Sequence, residues 1–257
     1  MLIAVQSAIE ARHLDAQIIF VFSSRGRGES KDGDLFLDLV ASYHIPLVCL
    51  PYQKFRAIHE DEVPAVGQPL PQWRLSYDRR AMEMLQGYNA DVCLLAGYML
   101  IVGEEMCRRY RMVNLHPALP CGPTGTWQEV IWKLMETRAG STGAMMHLVT
   151  PELDRGPVVT YCNFSIRGPG FDRHWREVET LSVASIKRTQ GERNALFQLI
   201  RAHGVARELP LVVSTLRALS EGRVKISNGK VLNSGGQPVA GHDLTGEIDE
   251  AVKDVLQ

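Results

Sequence analysis

Short apolar runs alternate with helical segments through the first half of this chain, and this alternation limits the possible folds more than any other feature. The runs at 17–22 (QIIFVF), 92–96 (VCLLA) and 112–116 (MVNLH) have the length and composition of buried strands. Segments with helical spacing of apolar residues lie between them, for example 35–43. The pattern predicts an α/β fold with a doubly wound, mostly parallel sheet.

The second half of the chain carries a different pattern. Two strand-like runs, 144–149 and 158–166, flank a turn rich in Pro and Gly and predict a hairpin. Two helices are predicted at 193–203 and 209–221, and a second hairpin with Asn228-Gly229 at its tip follows. The sequence therefore predicts a C-terminal extension of helices and a hairpin on the α/β fold.

Composition and charge exclude several classes of function. The 257 residues carry a net charge of −1, so nothing favours nucleic acid or an anionic membrane as a partner. The longest apolar stretch, 92–102, is too short to span a bilayer. The five cysteines are scattered without a CxxC pair, and the first residues lack a basic lead, which favours a reducing cytoplasm. The histidines show no metal-ligand spacing, so no metal is expected.

Polar residues at the end of one predicted strand are the best candidates for chemistry. Asn114 and His116 are two residues apart, so in a strand they point to the same face. Asp154 lies in the turn of the first predicted hairpin and could bring a carboxylate to the same place. An amide, an imidazole and a carboxylate can together stabilise an oxyanion and move a proton. The alternative is that these residues only form a capped turn.

Several blocks of sequence, in one order, resemble the folate-dependent formyltransferases. They are Tyr77-Asp78-Arg79, 90–99 (ADVCLLAGYM), 113–120 (VNLHPALP) and 143–159 (GAMMHLVTPELDRGPVV). Blocks in register are more specific than any single motif. The resemblance is strongest to the branch that formylates glycinamide ribonucleotide in purine biosynthesis.

The resemblance implies an enzyme that takes a formyl group from 10-formyltetrahydrofolate, as a co-substrate, and gives it to a primary amine. It implies that Asn114 and His116 donate hydrogen bonds to the oxyanion and that Asp154 holds His116 and relays protons. The same residues would suit an enzyme acting on an amino sugar nucleotide or a formyltetrahydrofolate hydrolase. A non-catalytic or truncated relative is a further alternative.

The resemblance also implies where the folate would bind. The residues expected to contact it are Met99, Leu100, Ile101, Val102, Thr150 and Leu153. The alternative for the apolar run 99–102 is core packing. His147 is expected behind the site as a supporting group, and its alternative is a histidine satisfied within the core.

The chain departs from the family pattern on the amine side. Its first residues match the helix that follows the family's first strand and phosphate-binding loop, so a mis-set start or a real truncation is expected. Residues 1–190 would form this N-terminally shortened catalytic domain, and 191–257 would pack on it. Where the family has an acidic residue for the ribose, the chain has Val205 or Ala206, with Glu208 one turn later. Segment 121–127 (CGPTGTW) replaces a basic, aromatic stretch.

One further loop has two interpretations. The segment 23–28 (SSRGRG) follows a predicted strand and could bind a phosphate with backbone amides and two guanidinium groups. It is neither a complete GxGxxG motif nor a P-loop. A basic loop exposed to solvent is the alternative.

Overall fold

A computed structural model describes residues 1–59 and 70–256 of the chain. These residues form two compact units. The larger unit comprises Met1–Asp15 and Val113–Gln257, and the smaller unit comprises Ala16–Met112. The division of the chain into domains at residue 190 stays a prediction.

The elements follow one another in a mixed order of helices and strands. The helices are α1 (Leu2–Glu10), α2 (Lys31–Ser42), α3 (Tyr52–Ile58), α4 (Gln72–Met84), α5 (Glu104–Arg109), α6 (Trp127–Glu136), α7 (Asp172–Thr180), α8 (Val183–Thr189), α9 (Ala195–Ser220) and α10 (Thr245–Val252). The strands are β1 (Val21–Ser23), β2 (Leu47–Cys49), β3 (Cys93–Leu95), β4 (Met112–His116), β5 (Ser141–Leu148), β6 (Val158–Ser165), β7 (Val224–Ser227), β8 (Lys230–Asn233) and β9 (His242–Asp243).

The smaller unit contains the parallel pairing expected in the front part of the chain. Strands β1 and β2 pair in parallel, with Val21 opposite Leu47. Helix α2 connects them, and Ser30 caps its first turn by accepting a hydrogen bond from the Gly33 amide. Val40 of α2 is fully buried. The connection is thus a strand–helix–strand unit, as the alternating pattern predicts.

The larger unit is built on the strands β4, β5, β6 and β9. Strands β4, β5 and β6 pair antiparallel, and β9 adds in parallel to β6. The hairpin predicted on either side of Asp154 is confirmed as β5 and β6. The α/β class of the fold, with its C-terminal helix and hairpin, is also confirmed.

Helix α6 shows how the sequence positions the core of the larger unit. Thr126 accepts a hydrogen bond from the Glu129 amide, and the Glu129 carboxylate accepts from the Thr126 amide in return, which fixes where the helix begins. The face of α6 that the sequence predicts to be apolar is buried, together with side chains of α7, α8 and α9. The core includes Val130, Ile131, Leu134, Met135, Trp175, Ile186, Leu196, Phe197 and Ile200.

The C-terminal part contains one correction. Two helices were expected at 193–203 and 209–221, but α9 is continuous from Ala195 to Ser220 and includes Pro210. Proline removes one helical hydrogen bond, but buried residues on both sides of it hold the helix in one piece, among them Ile200 and Leu211. The hairpin at Asn228-Gly229 is confirmed, since Ser227 pairs with Lys230 and both turn residues have positive φ.

Among residues 1–59 and 70–256, no helix is both long enough and apolar enough to cross a bilayer.

Gly143, the third residue of β5, tests the packing of this sheet. A Cβ there would lie 1.9 Å from the carbonyl oxygen of Cys162 on β6. We expect Gly143→Ala to lower the free energy of unfolding by at least about 3 kcal/mol, because the two backbones must separate. The melting temperature should fall by at least about 6 °C. Gly140→Ala is the matched control, because a Cβ at Gly140 meets no atom within 4 Å. Equal melting temperatures for the two variants would contradict the packing described.

Candidate active site

Strand β4 delivers two of the candidate residues to one place. Asn114 and His116 lie two residues apart on it, and Pro117 follows where the strand ends. Across the sheet, Asn114 lies opposite His147 of β5, and His116 lies opposite Met145. The register therefore puts an amide and two imidazoles on adjacent positions of neighbouring strands.

A β-bulge accompanies this register. Met146 of β5 pairs with Thr160 of β6, but the next residue, His147, pairs with Val158, so the pairing skips one residue of β6. Bulges bend the strand locally and often re-aim a side chain beside an active site. Here the bulge lies directly at His147.

The third candidate, Asp154, comes from the turn between β5 and β6. The turn is closed by a hydrogen bond from the Leu148 amide to the Pro157 carbonyl, at 2.9 Å. Asp154 has φ of +55°, a conformation that Asp tolerates better than most residues. Only glycine fits at position 156, because a Cβ there would lie 1.8 Å from the Leu148 carbonyl oxygen. The local sequence thus aims the Asp154 side chain inward, where it is almost fully buried.

The carboxylate of Asp154 lies between two buried imidazole rings. Its Oδ2 is 3.5 Å from Nδ1 of His116, and its Oδ1 is 3.6 Å from Nε2 of His147. The two rings are 2% and 3% exposed and meet edge to face, with centroids 6.4 Å apart. The expectation that Asp154 reaches His116 agrees with this geometry. The catalytic roles of the three residues stay predictions.

Hydrogen bonds to backbone carbonyls fix one proton on each ring. Nε2 of His116 lies 2.8 Å from the Pro123 carbonyl oxygen, and Nδ1 of His147 lies 2.9 Å from that of Leu148. A carbonyl oxygen can only accept, so both of these nitrogens carry hydrogen. The other two nitrogens, Nδ1 of His116 and Nε2 of His147, are the ones that face Asp154. Nε2 of His147 is buried and has no hydrogen-bond partner among the described residues.

The pKa of His147 is lowered from its ordinary value. Burial is the largest cause, because it disfavours the charged ring, and His116 adds to the effect. The hydrogen bond to Leu148 and the charge of Asp154 oppose it. At neutral pH, His147 is therefore a neutral ring whose free nitrogen faces a carboxylate. A proton released beside Asp154 can therefore be accepted by Nε2 of His147.

Two residues of this arrangement were not predicted from the sequence. The Pro123 carbonyl holds His116, and the Gly125 amide donates to Oδ2 of Asp154 at 3.4 Å. Both lie in the segment that departs from the family pattern. The density of Gly and Pro in this segment was the sequence signal for a special loop conformation. The structure shows that conformation as positive φ at Cys121 and Gly125.

The residues expected to contact folate differ in exposure. Met99 is 83% exposed and Ile101 is 43% exposed, whereas Val102 is buried at 2%. These residues belong to the smaller unit, as does the half-buried Leu100. Thr150 and Leu153 belong to the larger unit. The Thr150 hydroxyl donates to the Glu152 carbonyl, and Leu153 is exposed. Contact of all six with folate stays a prediction.

Helix α9 carries the positions at which the sequence analysis noted a departure from the family pattern. The carboxylate of Glu208 is not free to take the place of the family's acidic residue. It forms an ion pair with Arg201 at 2.6 Å. The Arg201 guanidinium also lies over the Trp127 ring, 4.4 Å from its centroid. These three side chains line a small pocket with Pro117, the residue that follows His116. Val205 is 44% exposed.

The loop 23–28 is engaged with carboxylates. The Gly28 amide donates to Asp34, and the Arg27 guanidinium pairs with Asp38 at 2.7 Å. These contacts favour the interpretation as a solvent-exposed loop over a phosphate site. Among residues 1–59 and 70–256, no group of three or more His, Cys, Asp or Glu side chains is arranged to hold a metal ion.

Comparison with known proteins matches a family described as formyl transferase over residues 2–167. Phosphoribosylglycinamide formyltransferase of Escherichia coli (strain K12) is 34% identical over 88 residues, which cover 34% of this chain and 41% of that protein. The match thus spans less than half the length of this curated relative.

Two solved structures show the same fold. Phosphoribosylglycinamide formyltransferase from Coxiella burnetii superposes with a TM-score of 0.62 at 21% identity, covering 94% of this chain and 92% of that one. A formyltetrahydrofolate deformylase from Pseudomonas syringae pv. tomato superposes with a TM-score of 0.57 at 20% identity, covering 90% and 61%.

The lowered pKa of His147 gives a direct prediction. The C2 proton of His147, assigned by its loss in His147→Asn, should titrate with a midpoint below the ordinary value of about 6.5. Because the unfolded chain then binds the proton more readily, His147 contributes stability at neutral pH that is lost as the pH falls below about 6.5. A midpoint above that value would contradict the described burial of a neutral ring.

Proposed function

Because this chain belongs to the formyl transferase family, we propose that it transfers a formyl group from 10-formyltetrahydrofolate to a primary amine, and that the amine is glycinamide ribonucleotide. The observation that carries the proposal is the Asp154 carboxylate held between two buried imidazoles, on a register that also presents Asn114. The similarity to a phosphoribosylglycinamide formyltransferase supports this choice of acceptor.

The proposed reaction begins when the amine nitrogen attacks the formyl carbon. A new C–N bond forms, and the carbonyl electrons move to the oxygen, which becomes an oxyanion. The side chain of Asn114 is part-buried in the middle of β4 and has no hydrogen-bond partner among the described residues. Its N–H group is therefore free to donate to the oxyanion. One such donor contributes about 10²–10³ in rate.

The proton of the attacking amine needs an acceptor and a route to the leaving nitrogen. We assign the first step to Asp154, because its two oxygens face nitrogens of His116 and His147 that can share the proton. The intermediate then collapses, the bond from the formyl carbon to N10 of the folate breaks, and N10 receives the proton. General acid–base catalysis of this kind contributes about 10²–10⁴ in rate.

His116 has a narrower role in this proposal than the resemblance implies. Its Nε2 is held by the Pro123 carbonyl, so in this conformation it is not free to donate to the oxyanion. A second oxyanion bond from His116 would require Nε2 to leave Pro123. The proposal therefore uses His116 through Nδ1, as the partner of Asp154.

We keep the exposed apolar side chains among the expected folate contacts as the proposed contacts of the folate. Met99 and Ile101 precede the catalytic residues in sequence, and Leu153 lies beside Asp154. Exposed apolar side chains are suited to cover one face of a planar ring.

Hydrolysis of the same co-substrate is the second candidate function. The structural similarity to a formyltetrahydrofolate deformylase supports this candidate. The residues of α9 support it too, because Val205 has no carboxylate and the carboxylate of Glu208 is paired with Arg201, so neither is free to bind a ribose. In this version water attacks the formyl carbon, and formate leaves instead of a formyl amine.

One assay separates these functions. The purified chain is incubated with 10-formyltetrahydrofolate, with and without glycinamide ribonucleotide, and the release of tetrahydrofolate and formate is followed. Release that depends on the amine, without formate, supports the transferase. Stoichiometric formate without any amine supports the hydrolase. Absence of turnover under both conditions would overturn both.

Replacing Asn114 tests the oxyanion donor. We expect Asn114→Ala to lower turnover by at least about 10²-fold. The variant loses a hydrogen bond that stabilises the oxyanion of the transition state much more than the bound substrate. Thermal unfolding should change little. Asn163→Ala, an exposed asparagine on β6, is the matched control and should retain full turnover. Near-normal turnover in Asn114→Ala would remove Asn114 from the mechanism.

Replacing Asp154 tests the proton route. Asparagine tolerates the positive φ of this position, so Asp154→Asn should keep the turn and the fold. We expect turnover to fall by at least about 10²-fold, because the amide cannot accept the proton. The control is Asp249→Asn, which removes a carboxylate that pairs with Arg207 and contacts none of Asn114, His116, His147 and Asp154 through a hydrogen bond or ion pair. Equal turnover of the two variants would exclude Asp154 as the proton acceptor.

A further inference from the structure

A buried ion pair in the smaller unit is not used by the mechanism above. Arg74 and Asp78 lie one turn apart on α4, with Nη1 of Arg74 2.5 Å from Oδ1 of Asp78. Their side chains are only 4% and 3% exposed. Burying two charges costs free energy unless they are paired and hydrogen-bonded. A pair this deeply buried is therefore expected to make further hydrogen bonds to the surrounding structure.

The pair contacts both ends of one loop. At the C-terminal end, the Gly103 amide donates to Oδ2 of Asp78 at 2.7 Å. At the N-terminal end, Nη2 of Arg74 lies 3.5 Å from the Tyr98 hydroxyl. The segment 98–103 is thus attached at each end to the same two side chains of α4.

The middle of this segment is exposed and apolar. Met99 is largely exposed and Ile101 is partly exposed, although the next residue, Val102, is buried. An apolar loop that projects its side chains from an anchored backbone loses less conformational entropy when a ligand binds. The segment includes Met99 and Ile101, two of the residues assigned above to the folate.

The backbone at Gly103 is packed closely against side chains of α4. A Cβ at this position would lie 3.0 Å from Oδ2 of Asp78 and 3.0 Å from Cδ2 of Leu75. The backbone of Gly103 therefore lies directly against α4, and its amide is directed at the carboxylate.

We propose that Arg74 and Asp78 are positioning residues, which hold segment 98–103 in the shape that presents Met99 and Ile101 to the pterin ring of the folate. The proposal rests on the proposed function, because it assumes that the segment binds 10-formyltetrahydrofolate. It assigns no chemical step to the ion pair.

The main test is Asp78→Asn. Arg74 and Gly103 donate to different oxygens of Asp78, and in asparagine one of these oxygens is replaced by an NH2 group, which cannot accept. We expect the KM for 10-formyltetrahydrofolate to rise about ten-fold or more, with kcat within about two-fold of the parent, because binding is weakened equally in the ground and transition states. Tyr98→Phe removes only the weaker attachment and should raise the KM about three-fold. If Asp78→Asn fails to fold, the KM of Tyr98→Phe tests the positioning role on its own.

Tyr77→Phe is the matched control. Tyr77 is a fully buried residue of the same helix, and its hydroxyl donates to the Leu50 carbonyl at 2.5 Å. This variant loses a buried hydrogen bond and stability but keeps both attachments of the loop. Its KM should match the parent. A rise in KM equal to that of Asp78→Asn would show that loss of stability alone is responsible and would overturn the proposal.

Hydrogen exchange separates this proposal from the proposed function. In Asp78→Asn, or in Tyr98→Phe if the former does not fold, the amides of segment 98–103 should exchange faster than in Tyr77→Phe, by about ten-fold at Gly103 in Asp78→Asn. Equal exchange in the variant and the control would overturn the positioning role. If the parent protein fails to bind tetrahydrofolate, the folate role is overturned whatever the exchange shows, whereas faster exchange still establishes the anchoring.

Discussion

The register of β4 against β5, combined with the turn at Asp154, is the constraint on which the candidate site depends. It brings Asn114 opposite His147 and leaves His116 at the strand end, where the carboxylate meets both rings. A shift by one residue would turn these side chains to the other face of the sheet. The turn requires glycine at position 156, because a side chain there would clash with the Leu148 carbonyl. Stability and chemistry thus depend on the same few backbone contacts.

Burial determines what this cluster can do. Both rings are almost excluded from water, which lowers the pKa of His147 and strengthens each charge interaction within the cluster. Backbone carbonyls of Pro123 and Leu148 fix one hydrogen on each ring, so the nitrogens left over face Asp154. The arrangement favours movement of one proton among three groups, which transfer of a formyl group to an amine requires.

Local patterns predicted much of this structure, and tertiary contacts explain what they missed. The alternating apolar runs indicated the α/β class, and Asn228-Gly229 indicated its hairpin, because both depend on neighbouring residues. The meeting of His116 and Asp154 was expected from the resemblance together with strand spacing. The continuity of α9 through Pro210 depends on core packing. The contact of Pro123 with His116 depends on a loop conformation, which spacing alone does not determine.

The site depends above all on the Asp154 carboxylate lying between Nδ1 of His116 and Nε2 of His147. Long-range ¹H–¹⁵N spectra of histidine-labelled protein, recorded for the parent and for Asp154→Asn, test this arrangement most directly. The account predicts that neutral His147 carries its hydrogen on Nδ1 and that the substitution shifts the nitrogen signals of both rings. A His147 ring with hydrogen on Nε2, or nitrogen signals that do not respond to the substitution, would contradict it.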